Sequence, residues 1–246
     1  MSRRLASIDC GTNSIRLLVG EPSGDDAFEI IDRRMRITRL GQAVDATGRL
    51  ASEAIERTMK VLREYRGAMD ELGVERVRIA ATSAARDAAN RDEFFDAAEG
   101  LVGARPELLS GKEEGHLSFL GATADVDKSK GPFLVVDIGG GSTEFIAGTE
   151  DAEGVISIDM GCVRLTEKEL HHDPPQPEEL SIALSMIDAY LDDVRREVPA
   201  VDDARTFIGV AGTITTVAAV EIGLESYDRD AIHHFTLTHE IGRAYV

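Results

Sequence analysis

Two short segments of the chain combine a carboxylate, glycines and hydroxyl side chains between apolar runs. They are IDCGTNSIRLLVG, over Ile8–Gly20, and VDIGGGSTEFIAG, over Val136–Gly148. Glycines let backbone N–H groups approach an anion closely, and serine or threonine hydroxyls add further donors. An aspartate in such a turn would repel a bare phosphate, but it can bind Mg²⁺ that is shared with substrate phosphates. The residues therefore predict a site for phosphate and a divalent cation.

The two segments align without a gap, which indicates an internal duplication. Four pairs of identical residues, each 128 residues apart, occupy matching positions: Asp9 and Asp137, Gly11 and Gly139, Ser14 and Ser142, and Gly20 and Gly148. This spacing is close to half of the 246 residues. It predicts two related domains that face each other across a cleft. We place them at residues 1–127 and 128–246, with the polar segment Ala124–Gly131 as the hinge.

Other glycine-rich loops fit the second segment less well. A flexible hairpin turn is the simplest alternative, since glycines tolerate any turn geometry, but it does not explain the second copy. The segment lacks the G-x-x-x-x-G-K-[ST] pattern of a P-loop. A Rossmann turn would open a helix, whereas the glycines here precede STEFIAG, which has the pattern of a strand.

The composition is that of a globular protein, with 43% hydrophobic and 29% charged residues. No apolar run approaches the ~20 residues that span a bilayer, so we expect no membrane association. A net charge of −18 argues against nucleic-acid binding, because affinity for polyanions comes largely from Lys and Arg. The absence of a signal-peptide pattern at the start and of a disulfide framework predicts a cytoplasmic protein. Cys10 and Cys162 are expected to be small buried residues.

Basic and histidine clusters have more ordinary interpretations beside the functional ones. The segment IDRRMRITRLG carries four arginines, which form either a solvated strand face or a rim that tracks phosphates: Arg33, Arg34, Arg36 and Arg39. The pairs His171–His172 and His233–His234 show neither i,i+4 helical spacing nor a cysteine partner set. Both histidine pairs are therefore predicted to be structural.

Hydrophobic periodicity predicts an α/β layout in both halves. In the first half we expect strands at Leu5–Ile8, Ile15–Gly20, Phe28–Ile37 and 74–81, and helices at 50–72 and from 82. A further helix is expected to start at Asn90, with Glu93 as its capping-box partner. A strand, a turn and a helix are expected within 104–124. In the second half we expect strands at Phe133–Val136, Thr143–Ala147, Gly154–Asp159 and 205–212, a helix after residue 180 and another over 213–222. Two strand-to-helix junctions carry further anion-binding residues, because helix N-termini attract anions: Thr82, Ser83 and Arg86 at one, and Gly209, Gly212 and Thr213 at the other.

The ordered motifs IDCGTNSIRLLVG, AATSAARDAAN, LLSGKEEG, VVDIGGGSTEF, MGCVRLTE and GVAGT resemble the exopolyphosphatase/guanosine pentaphosphate phosphohydrolase family. The chain is most similar to its short actinobacterial-type members. The resemblance implies two ribonuclease H-like domains of the actin-like ATPase superfamily, which close over phosphates. It implies release of the terminal phosphate of polyphosphate, or of the 5′-phosphate of guanosine pentaphosphate, with Mg²⁺ or Mn²⁺. A homodimer stays an open expectation.

The resemblance also assigns roles to residues of this chain. Asp9 and Asp137 would organise the metal ion and the lytic water, Arg86 would stabilise charge, and the glutamate pair of SGKEEG would hold the general base. The residues expected at the phosphates are Gly11, Thr12, Asn13, Ser14, Gly139, Gly140, Gly141, Ser142, Thr143, Glu144, Gly212 and Thr213.

The spacing within SGKEEG distinguishes the two glutamates. Ser110 and Glu113 have capping-box spacing, so Glu113 is expected to bond to the helix start. Glu114 points about 100° further round the helix and is free to face the cleft. We therefore predict Glu114 as the base, and the family motif aligns its catalytic glutamate with the same residue.

Two alternatives use the same cleft differently. A sugar kinase or actin-like ATPase would position a base against a hydroxyl rather than water, and a phosphate sensor would not need Asp9, Glu114 and Asp137 together.

The chain ends at THEIGRAYV, in the first turns of a helix predicted after Thr238. Because family members normally continue with further helices, the second domain is expected to be truncated at its C-terminal helices.

Overall fold

A computed structural model describes residues 3–23 and 28–238 of the chain. Helices and strands alternate along both halves, and the strands form two separate sheets, so the predicted α/β class with two sheets is confirmed. Within the described residues, no helix is both long enough and apolar enough to cross a membrane. The helix predicted after Thr238 lies outside the described residues.

The first half contains a five-stranded sheet. Its strands are β1 (Leu5–Cys10), β2 (Ser14–Pro22), β3 (Phe28–Ile37), β4 (Arg76–Ala81) and β5 (Glu107–Leu108), and its helices are α1 (Val44–Thr47), α2 (Ser52–Glu71), α3 (Ser83–Asp87) and α4 (Arg91–Val102). The order is β3-β2-β1-β4-β5; β1 to β3 are antiparallel neighbours, and β4 and β5 run parallel to β1. Ile8 and Leu17 of the sheet pack with Leu62 of α2 and Phe94 of α4 in one core.

The second half repeats this order over four strands. Its elements are α5 (Gly111–Thr123), β6 (Phe133–Ile138), β7 (Thr143–Gly148), β8 (Ala152–Ile158), α6 (Cys162–Glu169), α7 (Pro177–Glu197), β9 (Thr206–Val210), α8 (Ala211–Ile222) and α9 (Arg229–Ile232). The order is β8-β7-β6-β9, with β6 to β8 antiparallel and β9 parallel to β6. Both sheets thus share one strand order and one set of strand directions, as the duplication predicts.

The second sheet is covered on both faces, because its strands alternate between two apolar clusters. Val135 and Ile146 pack against Phe119 of α5 on one face. Val136 and Phe145 pack against Val194 of α7 on the other face. Successive side chains of a strand point to opposite faces, so a run such as Val135–Val136 supplies both cores.

Helix α5 belongs by its packing to the second sheet, although it precedes the hinge expected at Ala124–Gly131. It lies mainly against β8 and β7, and Phe119 is fully buried in their cluster. The division at residue 127/128 stays a prediction of the sequence. The glutamate pair of LLSGKEEG is therefore attached to the second sheet through α5, while Leu108 of the same motif belongs to β5 of the first sheet.

The structure corrects three local predictions. The Asn90 side chain makes no capping bond to α4; its Oδ1 accepts from the Leu50 backbone N–H at 2.8 Å, which ties the start of α2 to α4. Cys10 is buried as expected, but Cys162 is exposed at the first turn of α6. The helix α6 itself was not predicted from the sequence; it follows the MG of MGCVRLTE.

Candidate functional site

The two predicted phosphate loops form the same turn. The Gly11 N–H donates to the Ser14 carbonyl at 3.0 Å, and the Gly139 N–H donates to the Ser142 carbonyl at 3.0 Å. In both halves this turn joins the first two strands of the sheet, and an aspartate stands just before it. The duplication read from the sequence is therefore a duplication of backbone geometry.

The strand register gives the two aspartates different neighbours. Asp9 is opposite Arg16, whose Nη1 donates to Asp9 Oδ2 at 3.2 Å. Asp137 is opposite Glu144, the residue that the duplication pairs with Arg16. The first carboxylate is thus paired with a cation, whereas the second has another carboxylate across the strand pair.

The loops of the two halves contact each other at glycines. A Cβ at Gly140 would lie 3.2 Å from the Cβ of Thr12, and one at Gly141 would lie 2.5 Å from Ser83 Oγ. Thr12 and Ser83 come from the first half, so a side chain at either glycine would have to displace a residue of the other half. The two phosphate loops therefore approach each other closely at these glycines.

The first turn of α5 separates the two glutamates of SGKEEG, as predicted. Ser110 caps the helix: its Oγ accepts from the Glu113 N–H at 3.3 Å, and Glu113 Oε2 accepts from the Ser110 N–H at 2.8 Å. These bonds to Ser110 lower the pKa of Glu113. The Glu114 side chain is only 20% exposed and turns into the cleft.

Two glycines let α5 lie close enough to the second sheet to bring Glu114 there. A Cβ at Gly111 would lie 2.3 Å from Ser157 Cβ, and a Cβ at Gly115 would lie 2.6 Å from Val155 Cγ1. Both partners are on β8, so the glycines four residues apart form the contact face of the helix. The G-x-x-x-G spacing of GKEEG is explained by this packing.

Arg86 connects Glu114 to the second phosphate loop. From α3 its Nη1 donates to Glu114 Oε2 at 2.8 Å and to the Leu109 carbonyl at 3.1 Å. Its Nη2 donates to Ser142 Oγ at 3.4 Å. The structure therefore brings Arg86, Glu114 and Ser142 together, as expected of a common site.

Two hydroxyls that were not predicted as site residues orient the carboxylates of the second half. Ser118 Oγ donates to Asp137 Oδ2 at 2.7 Å, and Ser157 Oγ donates to Glu144 Oε1 at 2.7 Å. Ser118 lies one helical turn after Glu114, so the i,i+4 rule would have placed both on the same face. Ser157 could not be found in this way, because it reaches Glu144 across a strand pair.

Four carboxylates share the cleft, and the pKa values of three of them are raised. Burial raises the pKa of Asp9, and the charge of Asp137 raises it further against the effect of Arg16. Burial also raises the pKa of Glu114, with Arg86 opposing the shift. It raises that of Glu144 to about 8, and the charge of Glu114 adds to the effect. Such a cluster of oxygen donors fits Mg²⁺ or Mn²⁺, since hard cations prefer carboxylate ligands.

The last predicted turn lies beside Asp137. Val210 is the register partner of Asp137, and α8 begins at the next residue, so Gly212 and Thr213 occupy its first turn. Thr213 Oγ1 is buried and has no hydrogen-bond partner among residues 3–23 and 28–238. The turn is thus placed to face the cleft, and its role at a phosphate stays a prediction.

Sequence comparison agrees with this geometry: the Ppx/GppA phosphatase family model matches residues 20–240. The chain belongs to the Ppx/GppA phosphatase family. A relative, exopolyphosphatase 2 of Mycobacterium tuberculosis, is 46% identical over 238 residues, which cover 94% of this chain and 74% of the relative. The predicted family and the class of phosphoric anhydride hydrolase are thereby confirmed.

Solved structures of Ppx/GppA proteins share the fold. The crystal structure of an exopolyphosphatase-like protein superposes with a TM-score of 0.92 at 43% identity, over 98% of this chain and 76% of that one. The Aquifex aeolicus family member superposes with a TM-score of 0.79 at 37% identity, over 100% of this chain and 78% of that one. These likenesses agree with the predicted α/β fold class.

In this Ppx/GppA protein the arginines of β3 are peripheral. β3 is an edge strand of the first sheet; Arg33 and Arg36 are exposed along it, and Arg39 is exposed just after its end. Arg34 pairs with Asp32 at 2.7 Å. The strand end reaches the first phosphate loop, where the Arg39 N–H donates to the Asn13 carbonyl at 2.9 Å. This placement is compatible with a rim outside the cleft and not with a role beside Glu114.

Arg164 of the MGCVRLTE motif joins the two halves of the Ppx/GppA chain, and no role was predicted for it. Its Nε donates to the Gly141 carbonyl at 2.8 Å, and its two terminal nitrogens bind Asp45 and Asp87 of the first half. The side chain is 17% exposed. We name this set of contacts the Arg164 clasp. It holds the second phosphate loop against α1 and α3.

We expect Arg164→Ala to loosen the closed arrangement, because it leaves Asp45 and Asp87 without their shared cation. A partly buried ion pair contributes on the order of 1 kcal/mol, so KM should rise roughly fivefold with a smaller change in kcat. Small-angle scattering should show a larger radius of gyration. Arg195→Ala, which removes an exposed arginine 3.9 Å from Asp202, is the control. An unchanged KM and scattering profile in Arg164→Ala would contradict the clasp.

Proposed function

We propose that the chain hydrolyses the terminal phosphate of inorganic polyphosphate, using a water that Glu114 activates. The observation that carries the proposal is the position of Glu114. Arg86 donates to one of its oxygens, and Glu114 lies with Asp9, Asp137 and Glu144 in the cleft between the two predicted phosphate loops. The identity of 46% with exopolyphosphatase 2 of Mycobacterium tuberculosis supports this substrate class.

Glu114 and Arg86 have separate roles in the proposed reaction. Arg86 occupies Glu114 Oε2, which leaves Oε1 to accept a proton from the water. The water oxygen forms a bond to the terminal phosphorus, the bridging P–O bond breaks, and the shortened polyphosphate leaves with that oxygen. Arg86 also faces Ser142, so its guanidinium can meet charge that develops on the phosphoryl oxygens.

The loops would hold the phosphates, and the aspartates a cation. The donors would be backbone N–H groups of residues 12–14 and 140–142, with the hydroxyls of Thr12, Ser14 and Ser142. The N–H groups of Gly11 and Gly139 close the two turns, and the Thr143 hydroxyl donates to the Met160 carbonyl. Asp9 and Asp137 would bind Mg²⁺ or Mn²⁺, which, when bound, neutralises charge on the phosphates. Ser118 orients Asp137 for this task, and Arg16 does so for Asp9.

The decisive experiment compares phosphate release from long-chain polyphosphate, guanosine pentaphosphate and ATP in parallel assays. We expect the highest kcat/KM for polyphosphate, and a loss of activity on chelation that returns with Mg²⁺. Preference for guanosine pentaphosphate would reassign the substrate within the family. Preference for ATP, or full activity after thorough chelation, would contradict the proposal.

A further inference from the structure

A cluster beyond the C-terminal end of α5, the end opposite to Glu114, combines two imidazoles and a carboxylate. Asp125 follows the end of α5, and His233 and His234 follow α9, 108 residues later. His233 Nε2 lies 3.1 Å from Asp125 Oδ2, and His234 Nε2 lies 3.4 Å from the same oxygen. One ligand atom from each residue can be chosen so that all three lie within 4.8 Å of one another.

The spacing of these atoms matches the edges of a metal-centred tetrahedron. Zinc binds imidazole nitrogens and carboxylate oxygens at about 2.0–2.2 Å, so two tetrahedral ligands are about 3.3 Å apart. The two Nε2–Oδ2 distances of 3.1 and 3.4 Å bracket this value. All three residues are exposed, which leaves the fourth position open to water.

The backbone holds both imidazoles on the same side. The rings of His233 and His234 stack with centroids 3.9 Å apart and planes 24° from parallel. His234 has a left-handed φ of 60°, which is uncommon for a residue other than glycine. Exposed ion pairs with Asp125 contribute little to stability, so they give a weak reason for such a conformation.

We propose that Asp125, His233 and His234 form a binding site for a transition-metal ion such as Zn²⁺. Imidazole nitrogens suit Zn²⁺, Co²⁺, Ni²⁺ and Cu²⁺, whereas the oxygen donors of the cleft suit Mg²⁺. The ion would connect the end of α5 to the segment after α9 and stabilise the folded state by mass action. The proposal does not depend on the proposed hydrolysis. It reverses the prediction that the pair His233–His234 is purely structural.

The other histidine pair is a natural control. His172 Nδ1 lies 2.8 Å from Glu179 Oε1, but that oxygen is already bonded to the His171 backbone N–H at 2.9 Å. Only one ring of the pair approaches the carboxylate there. The double variant His171→Ala/His172→Ala therefore removes two exposed histidines and leaves the proposed site intact.

The test is calorimetric titration of the purified chain with Zn²⁺ in the presence of excess Mg²⁺, which competes for the cleft carboxylates. We expect one zinc ion per chain, an affinity at least about tenfold weaker in His234→Ala and Asp125→Asn, and an unchanged affinity in the double control variant. Far-UV circular dichroism of each metal-free variant establishes that it is folded.

Spectroscopy identifies the ligands directly. With Cu²⁺ as the probe, electron paramagnetic resonance should show coupling to two imidazole nitrogens in the parent chain and to one in His234→Ala. The proposal is overturned if the parent chain binds no zinc under these conditions. It is also overturned if His234→Ala keeps full affinity and two-nitrogen coupling, or if the double control variant loses binding.

Discussion

Glu114→Gln should reduce kcat by about 10²–10⁴, the usual contribution of a general base, while substrate binding and the melting temperature stay unchanged. Glutamine has the same shape, and its amide oxygen can still accept the hydrogen bond from Arg86 Nη1. It cannot take a proton from water. The measurement is kcat and KM for polyphosphate, with thermal unfolding of the same preparations.

Glu113→Gln is the matched variant, because the two residues are adjacent on α5 and differ only in where they point. Glu113 bonds to Ser110 at the helix start, away from the cleft. We expect this change to lower the melting temperature slightly and to leave turnover intact. If Glu113→Gln is inactive and Glu114→Gln turns over normally, the base has been assigned to the wrong carboxylate.

The pH dependence of kcat gives a second test of Glu114 as the base. Burial raises the pKa of Glu114 above the ordinary value of 4.5. A base acts only when deprotonated, so kcat should rise with pH through this raised pKa and fall as the pH drops below it. The acidic limb of the profile should therefore lie above pH 4.5, and the contribution of Glu114 to it should be missing from the residual activity of Glu114→Gln.

The sequence predicted the parts of the fold that repeat or have local causes. The duplicated turns at Gly11 and Gly139 implied two similar sheets, because the same residues in the same order form the same strand–turn–strand unit. The capping box at Ser110 was predictable because its bonds span three residues. Glu114 was then located by helix geometry alone, since one residue turns by about 100°.

Contacts between distant segments were not predictable in this way. Arg164 meets Asp45 and Asp87 over separations of 119 and 77 residues, and nothing in its own motif indicates those partners. The spacing of Asn90 and Glu93 predicted a capping box, but the Asn90 side chain bonds to the Leu50 backbone instead of the start of α4. The packing of α5 on the second sheet depends on Gly111 and Gly115, whose close approach to β8 only the structure shows.

Asp9→Ala and Asp137→Ala should each remove most turnover, because each deletes a proposed metal ligand at the phosphate loops. We expect kcat/KM to fall at least about 10²-fold, equivalent to ~2.7 kcal/mol of transition-state stabilisation. The fold should survive, since both side chains lie at strand ends and not in the cores. Asp70→Ala removes an exposed aspartate whose side chain pairs with Arg66, and it serves as the control.

Ser118→Ala distinguishes a metal ligand from a carboxylate that acts only through its charge. Ser118 donates to Asp137 Oδ2, so its loss should weaken the apparent affinity for Mg²⁺ by about 10–100-fold, as is usual for partners that orient a ligand. Saturating Mg²⁺ should then restore most of kcat, whereas Asp137→Ala should stay inactive at any Mg²⁺ concentration. Activity plotted against Mg²⁺ for the three proteins separates the cases. If Asp137→Ala recovers at high Mg²⁺, or if Ser118→Ala has the Mg²⁺ dependence of the parent chain, Asp137 does not bind the cation through the arrangement proposed.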